Sequence, residues 1–230
     1  MTGYGQHCPV AKAAEVFDQR WTLLVLRELV TGSVRFNDIH RGVPRMSRTL
    51  LSKRLTELER VGIVDRRRDE QGPIYVLTGA GEELAPVLEA IGEWGVRWLS
   101  SLSEADLDPV VLLWEMQRGI ARDGLPAGRT VVELHFADGP EGLRRWWLVL
   151  SRDEVDVCEE DPGFEVDVWV EASLRTFIQA WRGDLAWSDA LGPGRVEMHG
   201  KREVCRQLPE LLRHPFFSAV PRPDTRAGLR

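Results

Sequence analysis

The sequence predicts an α+β protein of two domains, and three observations lead to that prediction. The chain has 230 residues with 43% hydrophobic content, enough for two compact cores. In the first half, apolar residues recur at helical steps of three and four, whereas beyond residue 130 they alternate as in half-buried strands. We therefore expect a first domain at 1–100, a linker at 101–109, a second domain at 110–218 and a flexible tail at 219–230.

Charge is distributed unevenly between the two halves. Residues 1–100 carry 14 basic and 13 acidic groups, whereas residues 101–230 carry 16 and 23. The second half is therefore acidic and is not expected to bind nucleic acid. No apolar run approaches the roughly 18 to 20 residues of a membrane span, and the N-terminus lacks the basic-then-apolar pattern of a signal peptide. These observations predict a cytoplasmic protein without a membrane partner.

The cysteines and histidines form no pattern typical of a catalytic or metal site. Cys8, Cys158 and Cys205 are an odd number at wide spacing, which argues against a disulfide framework and a zinc site. The histidines have no nearby nucleophile, and no glycine-rich phosphate loop occurs. Carboxylates between Asp153 and Asp167 alternate with apolar residues, so we predict a solvated strand rim there instead of a metal site. The sequence thus predicts no catalytic residue, no metal, no cofactor and no enzyme activity.

Three helices are predicted before residue 42. The first spans 9–17, where Pro9 suits the first helical turn. The second, at 20–30, is apolar on nearly all sides, as expected of a central core helix. The third, at 35–41, is short and amphipathic.

A fourth helix, predicted from about Ser47 to Val61, has two contrasting faces. At about 100° per residue, its leucines cluster on one side and its hydroxyl and lysine side chains on the other. The polar set consists of Thr49, Ser52, Lys53 and Thr56. Arg54 falls on the apolar side, so we expect its guanidinium to snorkel or to pair internally.

The segment from Arg45 to Arg68 concentrates positive charge. It carries eight basic residues against three acidic ones, net +5, in a chain whose formal charge is −6. Charge concentrated against the global trend is typical of a surface that binds a polyanion.

A two-stranded hairpin and a long helix are predicted next. Ile63–Val64 and Ile74–Leu77 are apolar runs separated by the polar turn RRRDEQGP. Helix, turn, helix and hairpin in this order indicate a winged helix-turn-helix, in which the second helix of the pair enters the DNA major groove and the hairpin tip reaches phosphates. The long helix, capped by Thr78, has more apolar surface than one domain needs, so we predict a dimerisation helix at Leu84–Leu99.

Residues 7–99 resemble the HxlR type of winged-helix bacterial transcription regulators, on the runs CPVAKAAEVFDQRWTLLVLREL, RFNDIHRGVPRMSRTLLSKRLTELERVGIVDRR and YVLTGAGEELAPVLEAIGEWG. The resemblance implies a homodimer that binds a palindromic or near-palindromic operator in double-stranded DNA. The DNA-binding residues that match the recognition helix and wing of the family are Ser47, Arg48, Thr49, Ser52, Lys53, Arg66, Arg67 and Arg68. We expect Arg48, Thr49, Ser52 and Lys53 to read bases and the three arginines to hold phosphates. A solvated helix face and a charged edge that blocks sheet aggregation are the structural alternatives.

Cys8 offers an alternative function. It precedes the first predicted helix, whose dipole stabilises a thiolate at that position. In some members of the resembling family, a cysteine at this place senses electrophiles or oxidants. A small residue at the start of a packed helix needs no such role. Thiol-based redox regulation is therefore an alternative function, and under it Cys8→Ser should abolish any response to oxidants.

The second domain is predicted to be α+β, with strands and helices segregated along the chain. Helices are expected at 110–120, 174–181, 184–191 and 201–212, and strands at 130–136, 144–151, 154–160, 165–172 and the run GRVEMHG. The strands at 130–136 and 165–172 alternate apolar and polar residues with period two, as a half-buried antiparallel sheet requires.

Residues 110–215 resemble the sterol-carrier-protein-type domain, on the run DPGFEVDVWVEASLRTFIQAWRGDLAWSDALGPGRVEMHGKREVCRQLPELL. The resemblance implies a sheet curved over helices that enclose an apolar tunnel for lipid-like molecules. Six of the nine tryptophans lie in this domain, and they suit either a core or the walls of a ligand pocket. The candidate ligand-binding residues are Phe136, Trp169, Phe177, Trp181 and Met198.

Together these patterns predict a homodimeric DNA-binding transcription regulator that responds to an apolar small molecule. The alternative from another class is a lipid-binding carrier or scaffold protein, in which the winged helix serves only for dimerisation. Changing Lys53 and Arg67 to Glu distinguishes the two, because only an operator-binding protein must lose DNA affinity.

Overall fold

The computed structural model describes residues 3–99, 101–125, 128–192, 194–212 and 217–222. Ser100 of the predicted linker and residues 223–230 of the predicted tail lie outside the described residues. The chain divides into two compact units, Met1–Ile91 and Gly92–Arg230. Each unit has its own hydrophobic core. Within the described ranges, no helix is long and apolar enough to cross a membrane, and no group of three or more His, Cys, Asp or Glu side chains could hold a metal ion.

The first unit opens with four helices: α1 (Pro9–Phe17), α2 (Thr22–Val30), α3 (Phe36–Gly42) and α4 (Arg48–Arg60). Their bounds lie within two residues of the prediction. Ser47 caps α4, since its side chain accepts a hydrogen bond from the backbone N–H of Leu50 at 3.3 Å. The core between these helices includes Val25, Leu26, Leu29, Ile39, Leu51, Leu55 and Leu58.

The hairpin consists of β1 (Val64–Asp69) and β2 (Gly72–Leu77), paired antiparallel. The prediction that residues 66–68 belong to the turn was wrong: the three arginines lie within β1, and only Glu70 and Gln71 remain between the strands. The side chains of the three arginines are exposed, and the backbone of a charged residue pairs as well as that of an apolar one. Apolar patterning therefore missed the outer half of this ladder.

The long helix predicted from Thr78 is divided into two. Thr78 caps the single turn α5 (Gly79–Glu82) by accepting from the N–H of Gly81 at 3.2 Å, and α6 (Ala85–Trp98) begins after a break. Pro86 lies in the first turn of α6, where its missing N–H costs nothing.

An apolar stripe on α6 is exposed. Its four large side chains follow each other at steps of four, three and four residues, so they share one helix face. They are Val87, Ile91, Trp94 and Trp98, which are 43%, 45%, 49% and 37% exposed.

Within the described residues after α6, the second unit combines four α-helices with a five-stranded sheet. The helices are α7 (Pro109–Gly119), α8 (Leu174–Arg182), α9 (Trp187–Ala190) and α10 (Arg202–Leu211). The strands are β3 (Thr130–Phe136), β4 (Arg145–Leu150), β5 (Val155–Cys158), β6 (Val168–Ala172) and β7 (Val196–Gly200). The helices bury their apolar faces against one side of the sheet, and the core lies between the two layers.

The sheet has the strand order β5-β4-β3-β6-β7 and is mixed in direction. The expectation of an antiparallel sheet was wrong at its centre, where β3 and β6 are parallel. After β3 the chain forms β4 and β5 on one side of that strand. It then crosses to the other side of β3, where β6 runs in the same direction as β3. Period-two alternation reports which face of a strand is buried and carries no information on strand direction.

Candidate nucleic-acid interface

The outer face of α4 carries short polar side chains and one lysine. Thr49, Ser52 and Lys53 are exposed, whereas Leu51 and Leu55 on the opposite side are buried. The predicted phasing of this helix is therefore confirmed. Together with Arg48, Thr56 and Glu57, the exposed residues line an open surface depression. A helix face without bulky apolar groups leaves its hydroxyl and ammonium groups accessible to a partner.

Arg48 is held in place at the start of α4. Its Nη2 donates to Asn37 Oδ1 at 2.8 Å, and its guanidinium lies 4.9 Å from the ring centroid of Phe36. Both contacts come from the first turn of α3, so the arginine is oriented before any ligand arrives. Asn37 was not among the predicted site residues, because only the packing of α3 beside α4 brings it to this surface.

The three wing arginines are exposed and alternate between the two faces of β1. Arg66 lies 6.0 Å from the ring centroid of Tyr75, and Arg67 forms an ion pair with Asp65 at 3.1 Å. Arg68 points to the same face as Arg66, because side chains on a strand repeat every second residue. The guanidinium groups of Arg66 and Arg68 therefore extend from one face of β1, and that of Arg67 extends from the other.

Arg35 ties the tip of the wing to the segment before α3. It donates to the carboxylate of Asp69 and, at 3.2 Å, to Gln71 Oε1, while the N–H of Tyr75 donates to the carbonyl of Val34 at 2.8 Å. The hydrogen bond from Arg35 is the main cause that lowers the pKa of Asp69 below its ordinary value, and desolvation opposes it. Sequence reasoning missed Arg35, since the two partners are far apart in the chain.

Arg54 points inward and is 7% exposed, which confirms the expectation of internal pairing. Its Nε donates to the carbonyl of Arg20 at 3.2 Å and its Nη2 to Gln19 Oε1 at 3.2 Å. It also pairs with the carboxylate of Glu57, one turn further along α4. These contacts direct the guanidinium away from the exposed face of α4.

Four of the five candidate ligand residues in the second unit meet in its core. Phe136, Phe177 and Trp181 are buried, and Met198 packs against the same cluster. Trp187, which the sequence analysis did not select, belongs to this group: its ring centroid lies 5.6 Å from that of Phe177, in an edge-on arrangement. Its Nε1 is buried without a hydrogen-bond partner in the part of the chain that the structure describes.

Trp169 lies apart from the other four candidates. It is 44% exposed and points to the face of the sheet opposite the helices, because its neighbours Val168 and Val170 occupy the core positions of β6. The alternation along β6 thus separates Trp169 from the buried aromatic cluster.

Cys8 is exposed at the N-cap position of α1. Its side chain makes no capping hydrogen bond, and its carbonyl accepts the N–H of Lys12 at 3.1 Å. The thiol is therefore accessible to solvent at the start of a helix.

Comparisons with known proteins match the first part of the chain. The HxlR-like helix-turn-helix family model matches residues 16–103. The HTH-type transcriptional regulator YvaP of Bacillus subtilis is 38% identical over 96 residues, which are 40% of this chain and 89% of the relative. The regulator sll1512 of Synechocystis sp. is 36% identical over 102 residues, 43% of this chain and 76% of its own. The reduced form of the transcriptional regulator YodB from B. subtilis is 31% identical and covers 40% of this chain and 94% of its own, with a TM-score of 0.36.

We predict that Asp69 titrates below the ordinary carboxyl range and that Arg35→Gln raises its midpoint. Because folding lowers this pKa, the pair stabilises the wing at pH values above the unfolded pKa of about 3.9 and loses that effect as pH falls through the folded value. Carboxyl-carbon NMR titration measures both midpoints. Arg67→Gln, which removes the partner of Asp65, is the matched control and should leave Asp69 unchanged. A wild-type midpoint at or above the ordinary value would contradict the prediction.

Proposed function

Since the chain belongs to the HxlR-like helix-turn-helix family of transcription regulators, we propose that it regulates transcription by binding double-stranded DNA through α4 and the β1–β2 wing. The observation that carries the proposal is the exposed face of α4, formed by Thr49, Ser52 and Lys53 above a buried leucine face. A helix fits the DNA major groove, which is about 12 Å wide, when its outer side chains are small or can hydrogen-bond to base edges.

The two elements would have different tasks. Ser47 lies at the N-cap of α4, and Arg48, Thr49, Ser52 and Lys53 lie in its first two turns, the part of a recognition helix that approaches base edges. Arg48 would exchange its contact with Asn37 for the acceptors of a guanine. Arg66, Arg67 and Arg68 would bind phosphates, which positions the protein without reading sequence.

We propose further that the chain acts as a homodimer through α6. The support is the exposed stripe of Val87, Ile91, Trp94 and Trp98, because apolar side chains contiguous on one helix face favour burial against a partner. A twofold dimer presents two recognition helices, and spacing them by about 34 Å matches one turn of DNA. A palindromic or near-palindromic operator would follow from that symmetry.

The second unit is proposed to bind an apolar small molecule that modulates DNA binding. Support comes from the aromatic cluster of Phe136, Phe177, Trp181 and Trp187. The buried Nε1 of Trp187 has no acceptor among the described residues, and a ligand oxygen would supply one. Such a ligand changes operator affinity only if it binds the DNA-competent and incompetent arrangements with different strength.

A thiol-based mechanism is the second candidate. The exposed position of Cys8 at the start of α1 favours it, because a thiol there is accessible to small oxidants. Both mechanisms use the same DNA-binding surface and differ in the group that senses the signal.

For the DNA-binding proposal, Lys53→Glu and Arg67→Glu should each weaken binding to a duplex selected from fragmented genomic DNA by about tenfold or more, because each replaces a phosphate or base contact by a repulsive charge. Fluorescence anisotropy measures the affinity. Arg206→Glu, the same charge change at an exposed position of α10, is the control and should bind as the wild type does. Full affinity in both α4 and wing variants would favour the carrier or scaffold alternative.

For the homodimer, Ile91→Asp should raise the dimer dissociation constant by about tenfold or more, because it places a charge in a buried apolar contact. Sedimentation velocity across a dilution series measures it. Leu191→Asp, at an exposed apolar residue of the second unit, is the matched control. A wild-type chain that sediments as a monomer at every concentration would refute the dimer.

For the ligand response, a saturating long-chain fatty acid, fatty acyl ester or sterol should change the affinity for the selected duplex by about fivefold or more, a usual size for coupling between two sites. Trp187→Phe should weaken the response, since it deletes the buried N–H, whereas Trp169→Phe should keep it. Unchanged DNA affinity with all three ligand classes would count against sensing by this unit.

A further inference from the structure

The turn between α1 and α2 contains a strained backbone position. Trp21 has φ 80° and ψ −16°, and it is the non-glycine residue with a positive φ within the described ranges. The N–H of Thr22 donates to the carbonyl of Gln19 at 3.0 Å. These angles and this hydrogen bond are those of a type II turn, whose third residue is normally glycine. A tryptophan persists there only if the surroundings impose the conformation.

Arg54 of α4 supplies the contacts that impose it. In a type II turn the middle peptide directs its carbonyl away from the closing hydrogen bond, and here that carbonyl, of Arg20, accepts from Arg54 Nε at 3.2 Å. The Nη2 of the same guanidinium donates to Gln19 Oε1 at 3.2 Å. Turning the middle peptide over would relieve Trp21, but it would withdraw the carbonyl and leave a buried charged donor without its acceptor.

The same contacts fix α4 about its own axis. The leucines of α4 pack in the core by apolar contacts, which depend on area and tolerate small rotations of the helix. The hydrogen bonds of a guanidinium that bridges two acceptors are directional, so they hold α4 at one rotation about its axis. Lys53 is the preceding residue, so any rotation of α4 that broke the Arg54 contacts would also turn Lys53 and Ser52 away from their present direction.

We propose that Arg54 is a positioning residue for DNA binding, which fixes α4 against the α1–α2 turn without touching DNA. The proposal rests on the DNA-binding function proposed above. It joins a buried residue of the recognition helix to a strained turn 34 residues earlier in the chain.

The test compares Arg54 with its neighbour in sequence, using the full chain and the duplex selected by the wild type. Lys53→Met should reduce the slope of log affinity against log salt by up to about 0.9, because a cation at the DNA surface, and the counterion that it displaces, is lost. Arg54→Met should keep the wild-type slope and lower affinity by about tenfold at every salt concentration, the usual size of a lost buried charged hydrogen-bond network. Arg54→Lys keeps the charge but lacks the planar fork that bridges both acceptors. It should therefore lower the DNA affinity as much as Arg54→Met does.

A milder variant covers the case in which Arg54→Met fails to fold. Gln19→Ala removes one acceptor without changing charge, and it should lower affinity by about threefold with an unchanged salt slope. Amide hydrogen exchange at Thr22, measured without DNA, should accelerate in Gln19→Ala and in the folded Arg54 variants but not in Lys53→Met. Circular dichroism verifies that each variant retains its helices.

The outcomes separate the two proposals. A salt slope that falls in Arg54→Met as it does in Lys53→Met would overturn the positioning role, because Arg54 would then contact phosphate. Wild-type affinity in Arg54→Lys and Gln19→Ala would overturn it as well, while DNA binding itself would stand. A wild-type chain that binds no selected duplex would refute the proposed function and the positioning role together.

Discussion

Burial of one face of α4 is the constraint on which the first unit depends. Leu51, Leu55 and Leu58 enter the core with residues of α2 and α3, and each buried leucine contributes about 2 kcal/mol relative to exposure in water. Because these leucines repeat at helical spacing, their burial leaves Ser52 and Lys53 no direction but outward. The position of the polar face is thus a consequence of core packing.

Directional contacts refine what the apolar core leaves approximate. Arg48 is oriented by Asn37 and Phe36 from α3, and Arg35 attaches the wing through Asp69. A hydrophobic core sets the distance between elements, whereas hydrogen-bonded guanidinium groups set their rotation.

Sequence periodicity predicted the helices of both units to within a few residues, and it placed Arg54 inward and Lys53 outward. It succeeded there because a helix that buries one face must repeat its apolar residues every three to four positions. It missed the ladder through Arg66 to Arg68 and the parallel pairing of β3 with β6. Backbone pairing of residues with exposed side chains leaves no apolar pattern, and alternation reads the same in either strand direction.

The sequence by itself determined the mixture of helices and strands, the local excess of positive charge and the phase of α4, since each depends on residues close together in the chain. Only the tertiary structure decided that Asn37 meets Arg48, that Arg35 meets Asp69 and that Trp169 lies away from the buried aromatics. These contacts join residues of different elements, whose approach depends on how the helices and strands pack. Local periodicity cannot encode that packing, because it records which face of an element is buried and not which element covers it.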